Sequence, residues 1–346
     1  MALKPPVEVP QGAIRLNTDS QKLEFFAQDQ WWQMATDVPY LGVSSDTGAG
    51  ARMVMGGAET PGNTFTTNIG YLNIASFGNE IDFGDLDNAI RFLAPAASRT
   101  RGLFAGGTNP AGGSPGLQDN IKYVTISSTG NSTSFGSLSA ARRGCAGASS
   151  ATRGVFMGGK NPSNSDTMDY VTIASTGNAV DFGNATQSKE FGAGCGSPTR
   201  GFFMGGYDPS GYTKRIDMFT FATTGNAVEF GDMEKGYYGN QQGCSNATRG
   251  LYVGGAAPTK TGTIEYFQMA SRGNAVVYGD LQNSSEAYGV AASSPTRGIY
   301  AGGSNPGYHN MIQSFELATG GTGVDFGDRL NACIDSASFS NAQGGL

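Results

Sequence analysis

Short apolar runs alternate with polar residues along most of the chain, and Gly, Asn, Ser or Thr interrupts them before a helical period can build up. Around residue 170 the pattern reads as four strands. Small residues run from Gly144 to Ser150, and the turn Ala151-Thr152-Arg153-Gly154 leads into Val155-Phe156-Met157 and a double glycine. A third run, Met168 to Ser175, ends in Thr176-Gly177-Asn178, residues that tolerate positive φ. Ala179 to Asn184 then alternates apolar and polar positions as a half-buried strand does.

The same pattern recurs. Double glycines after an apolar run stand at Gly56-Gly57, Gly106-Gly107, Gly158-Gly159, Gly205-Gly206, Gly254-Gly255 and Gly302-Gly303, spaced 50, 52, 47, 49 and 48 residues apart. From the first apolar residue of each third run to the aromatic of an FGD-like motif is always 14 residues, as in Ile69/Phe83 and Ile312/Phe326. Length varies mainly in the loop after the double glycine, which holds 8 to 13 residues. In a propeller blade that loop shares a face with the blade-to-blade connection, so this face is the expected working surface. The run after Phe326-Gly327-Asp328 supplies one more innermost strand, expected to complete the first blade beside residues 51 to 86. Tyr40 to Asp46 could fill the same place, which would suit a seven-bladed ring built with N-terminal strands. The expected fold is therefore all-β: a six-bladed propeller over 40–346, closed by its C-terminal innermost strand, after a short N-terminal β segment over 1–39.

The double glycine and the period resemble the kelch family over roughly residues 40–346. The late tryptophan usual in each kelch repeat is absent, and the aromatic-Gly-Asp motif stands in its place. Outside the repeat, Gly12-Ala13-Ile14-Arg15-Leu16-Asn17-Thr18-Asp19, with Lys22-Leu23-Glu24-Phe25 and Trp31, resembles a short module of tailed-bacteriophage fibre and adhesin proteins. The repeats of TGNAVDFGD type are similar to virion proteins of marine and cyanobacterial phages. These resemblances imply a virion protein made in a host cytoplasm, with other virion proteins as partners. Trp31 and Trp32, the two tryptophans of the chain, become candidate attachment residues for the N-terminal segment. That segment has too little core to stand alone, so these aromatics should dock on the propeller or on a partner chain. A plain edge-covering hairpin is the structural alternative.

Composition narrows the chemistry. Fifty-four glycines and only 14% charged residues fit many short strands joined by tight turns. The net charge of −6, without a Lys/Arg run, argues against nucleic acid as a partner. No apolar stretch is long enough for a membrane span, and the N-terminus lacks the apolar region of a signal peptide. Four cysteines in this length make no disulfide framework. No heptads or collagen-like triplets enforce a trimer, and a homo-oligomer stays open.

Catalysis finds little footing. His309 is the single histidine, so metal sites that need several His or Cys ligands lack their donors, and no cofactor is expected. A triad on His309 would lack the G-x-S-x-G elbow. Ser44-Ser45-Asp46-Thr47-Gly48 only weakly matches a sialidase Asp-box, without its tryptophan. Cys195 and Cys244 match Ala96, Ala148 and Ala292 in the other copies, which suits packing against a crowded axis. Arg101, Arg153, Arg200, Arg249 and Arg297 recur once per copy, more consistent with a repeated clamp than with an anion site. Aromatic residues beside Asn, Asp and Ser offer apolar area with polar handles. Tyr207, Tyr212, Tyr237, Tyr238, Tyr288, Tyr308 and His309 are accordingly the candidate ligand-binding residues, with Phe65, Phe92 and Phe191 nearby in the same loops. The expected function is a phage tail fibre or tail-associated host-recognition module, binding a cell-surface glycan or protein receptor through this face. A capsid decoration or tail-lattice protein is the alternative, and a glycan-processing enzyme would need carboxylates at the central channel.

Overall fold

A computed structural model describes residues 9–17, 22–28, 30–33, 51–110, 116–239, 243–256, 258–283, 286–343 and 346. Tyr40 to Asp46 and Ser44 to Gly48 lie outside the described residues. The chain forms two compact units, 1–41 and 42–346. The first is an antiparallel meander of Ile14–Asn17, Lys22–Ala27 and Gln30–Gln33.

The second unit is all-β. Its repeats fold into antiparallel sheets, one per copy, and in all but the first the four main strands lie side by side in chain order. The second sheet runs Ala94–Ala97, Arg101–Ala105, Asn120–Thr125, Thr133–Ser137. The third, Ala146–Ser149 to Val180–Asn184, has the same order. So do the fourth, Ala193–Gly196 to Val228–Asp232, and the sixth, Val290–Ser293 to Val324–Asp328. The fifth, Cys244–Ser245 to Val276–Asp280, gains Gly321–Thr322 as a parallel fifth strand. In the first sheet, Ala337–Ser340 lies beside Arg52–Thr60, followed by Thr64–Asn73 and Ile81–Asp85.

Burial explains why each strand has its composition. Second strands such as Arg153–Met157 are buried on both faces after their arginine, so they read as continuous apolar runs. First strands are crowded and rich in Ala, Gly and Ser; at Gly147 a Cβ would lie 1.7 Å from Pro95 O of the neighbouring sheet. Apolar clusters fill the spaces between successive sheets, for example Phe104 and Phe339 with Ile69 and Val124. Another joins the sixth sheet to the first, packing Val290, Ile299 and Ile312 against Met53, Met55 and Leu72.

Polar links follow the same route. Each second-strand arginine donates to the backbone at the end of the next sheet's third strand: Arg101 to Ile173 O and Ala174 O, Arg153 to Phe221 O, Arg200 to Met269 O, Arg249 to Leu317 O. Arg52 does the same to Ile126 O, and Arg297 reaches Ile74 O and Ala75 O in the first sheet. The recurring arginines are thus backbone clamps, and several also lie over a ring, as Arg153 over Tyr170 at 4.9 Å. The Gly-Asn turn, preceded by Thr176, Thr224, Arg272 or Phe77, has its own partner. Asn178, Asn226 and Asn274 accept from the amides of Ser137, Asn184 and Asp232 in the preceding sheet, and Asn79 accepts from Asp328. The glycine of the FGD motif makes room for that turn: a Cβ at Gly231 would sit 2.2 Å from Gly273 O.

Candidate functional site

The double glycines build the site. At Gly158-Gly159 both residues are left-handed, φ +67° and +97°, and the Gly159 amide binds Lys189 O in the connector leaving that sheet. Gly107, Gly206, Gly255 and Gly303 bind Arg142, Tyr237, Glu286 and Cys333 in the same way. Two residues after each docked carbonyl the connector turns left-handed, at Gly144, Phe191, Gly239, Tyr288 and Asp335. Phe92, two residues after Ile90, is the sixth such position.

These six residues hydrogen-bond to one another. Gly239 N donates to Phe191 O, Phe191 N to Gly144 O, Gly144 N to Phe92 O, Phe92 N to Asp335 O and Asp335 N to Tyr288 O, at 2.8 to 3.2 Å. The five bonds run as an arc from Gly239 to Tyr288, a collar that takes one residue from each of the six connectors. Glycine fills two of its places without strain, whereas Phe92, Phe191 and Tyr288 hold φ between +56° and +66°. Bulky side chains seldom adopt that region, and the strain is of order 1–3 kcal/mol per residue. What these positions retain at that cost is their rings.

Above the collar lies a cavity of about 240 Å³, lined by Phe92, Phe191, Tyr238, Gly239, Tyr288, Tyr308 and Ile334, with Glu59, Arg91 and Asp335. Phe92 and Phe191 meet edge to face at 4.8 Å. Tyr238 and Tyr288 share a hydroxyl hydrogen bond of 3.0 Å. Glu59, also in the lining, is buried; it pairs with Arg91 and accepts from the Tyr308 hydroxyl at 2.7 Å. The Arg91 guanidinium lies over Phe92 and Phe65 and 3.5 Å from Asp335 Oδ2. Burial raises the Asp335 carboxyl to about 7, against the pull of Arg91 and Arg143. Aromatic faces, hydroxyls and a carboxyl able to donate or accept are what a polyhydroxylated ligand needs.

Five of the expected residues come together here. Tyr238, Tyr288 and Tyr308 line the cavity; Tyr207 and Tyr212, 41% and 42% exposed, pack against Tyr238 beside it. Tyr237 does not belong with them. It is 2% exposed, gives its hydroxyl to buried Glu265 and stacks on Tyr252. Because successive residues of an extended connector face opposite ways, Tyr237 turns inward where Tyr238 turns to the cavity. His309 is not in the lining either; its Nε2 lies 2.7 Å from buried Glu286. The cysteines are free and buried, consistent with packing, and among the described residues no cluster of His, Cys, Asp or Glu could hold a metal.

Arg91, Glu59 and Asp335 escaped the sequence reading. For Asp335 the signal is spacing: the collar residue falls nine residues after the FGD-type aromatic in five copies (Phe83 to Phe92, Phe326 to Asp335) and ten in the other (Tyr278 to Tyr288). In the first unit, Trp31 packs on Phe26 beneath Arg15, while Trp32 is 45% exposed in one cross-strand row with Ile14 and Phe25. No protein-family model matches the chain, and no match was found among curated proteins.

Proposed function

We propose that unit 42–346 is a closed six-bladed, kelch-like propeller that binds carbohydrate in the cavity above its collar, and that it serves a tailed-phage particle as a host-recognition module. Ring closure is supported by the clamp from Arg297 to Ile74 and Ala75, the core shared by Met53 and Ile299, and the strand pair Ala337–Ser340 with Arg52–Thr60. The carbohydrate reading is carried by one observation: three aromatic residues are held at left-handed φ around a cavity that also offers hydroxyls and a carboxyl. The phage setting rests on the resemblance of residues 12–31 to fibre modules. Exposed Ile14 and Trp32 would then be the attachment row of the first unit.

A second reading, glycan hydrolysis, draws on the carboxyl groups of Glu59 and Asp335 in one cavity. Binding fits better, because Arg91 Nη1 contacts both carboxylates and occupies the space between them that a scissile bond would need.

An array of neutral, uronic-acid and amino-sugar glycans, read with the intact protein and with Phe191→Gly, tests the binding. Glycine suits this backbone, so the variant should melt as the wild type does, within about 1 kcal/mol, yet bind at least about tenfold more weakly. Equal binding by the two proteins would remove the cavity from the proposal. Product released from a bound glycan would favour hydrolysis. Antibody labelling of intact particles then separates a tail location, as proposed, from capsid decoration.

A further inference from the structure

The cavity has two unlike walls. On one side Arg91, Glu59, Asp335 and Tyr308 are already engaged with one another. On the other, Tyr288 meets Tyr238 at 6.0 Å between centroids, and Tyr238 stacks on Tyr212 at 5.2 Å with planes 26° apart. Tyr207 completes this ridge, 6.0 Å from Tyr238 and 5.7 Å from Tyr212. Resting on the carbohydrate reading above, we infer that the cavity is the end subsite of a longer track. It takes the terminal unit of a neutral oligosaccharide, and the following units leave across Tyr238, Tyr212 and Tyr207.

The hairpin that carries the ridge argues for this. Tyr207–Asp208 pairs with Gly211–Tyr212, placing the two tyrosines opposite each other. At the equivalent bridge positions the other sheets carry Glu59, Thr108, Lys160, Ala256 and Ser304. The fold therefore does not require an aromatic residue there. Rings left more than two-fifths exposed contribute little to the core, but they extend the apolar wall of the cavity outward with hydroxyls at its edge. The arrangement is continuous, from the collar at Tyr288 through Tyr238 to Tyr212 and Tyr207.

Charge selects the class. Arg91 is matched by Glu59 and Asp335, and Arg143 and Lys160 by Glu190, so no unmatched cation waits for a uronate. A cationic sugar likewise finds no unmatched carboxylate on this wall, since Glu59 and Asp335 are already engaged with Arg91. Neutral units meet neither penalty.

The test uses the same neutral glycans as a length series, from one to about six units, with the wild type, the Tyr207→Ala/Tyr212→Ala double variant, Tyr212→Ala alone and Phe191→Gly. Both tyrosines are exposed, so melting should not change. Wild-type affinity should rise with length, and the double variant should lose about tenfold for the longer chains while keeping the shortest. Phe191→Gly should lose all lengths, and Tyr212→Ala should fall between. If the ridge variants match the wild type at every length while Phe191→Gly fails, the track is wrong and the cavity stands. Binding confined to uronates or amino sugars would overturn the neutral class. A wild type that binds no glycan would overturn both readings.

Discussion

Four side chains held at left-handed φ dominate the chemistry at the residue scale. Phe92, Phe191, Tyr288 and Asp335 occupy positions where Gly144 and Gly239 show that a smaller residue suffices. Asp335 gives this scale its pH dependence. Its carboxyl is raised to about 7 in the fold, from an ordinary value near 3.8. The folded chain therefore holds the proton more tightly than the unfolded chain. Its contribution is full below about pH 4 and is lost as pH rises through about 7, with a ceiling of roughly 4 kcal/mol at about 1.4 kcal/mol per pH unit. Asp335→Asn, whose side chain tolerates this φ, should lose less stability between pH 5 and pH 8 than the wild type in urea titrations. Parallel pH profiles for the two proteins would contradict the assignment. The aromatic residues of the collar were legible in the sequence as loop residues, but their convergence was not. Arg91, Glu59 and Asp335 look like ordinary loop charges until the connectors are folded over the double glycines.

Individual strands were readable from alternation and turn residues because each copy states its own pattern. The links between sheets were harder, since the partners lie far apart: Arg101 and Ile173 are 72 residues apart in sequence. The Gly-Asn turns and the FGD motifs each look local, yet each serves its neighbour. The turn Gly273-Asn274 packs on Gly231, and Asn274 Oδ1 accepts from the Asp232 amide at 3.0 Å. Gly231→Ala would force a Cβ against Gly273 O and should cost more than about 2 kcal/mol. Asn274→Ala removes one acceptor and should cost about 1 kcal/mol. Denaturant melts of both variants check the order; a Gly231→Ala variant as stable as the wild type would mean that the turn does not sit there. Tyr237 shows the limit of reading connectors from sequence, because one step of register decides between a core hydroxyl and a cavity wall.

The repeat count and the added inner strand came from the sequence at the scale of the molecule. Contacts between the ends of the repeat array come from the fold. If the array closes, the junction between its sixth and first sheets should be as strong as any other. Arg297→Ala, which cuts the clamp across that junction, should then destabilise about as much as Arg101→Ala, by roughly 1–3 kcal/mol each. The cavity shares in that junction, because Phe92 N donates to Asp335 O at 3.1 Å and Asp335 leads into the added inner strand Ala337–Ser340. Hydrogen exchange on the strand Ala337–Ser340 reads that junction most directly. A closed ring predicts that its amides exchange as slowly as those of Ala94–Ala97 and Ala146–Ser149, through global unfolding alone. Fast exchange of Ala337–Ser340 beside slow inner strands elsewhere would contradict closure.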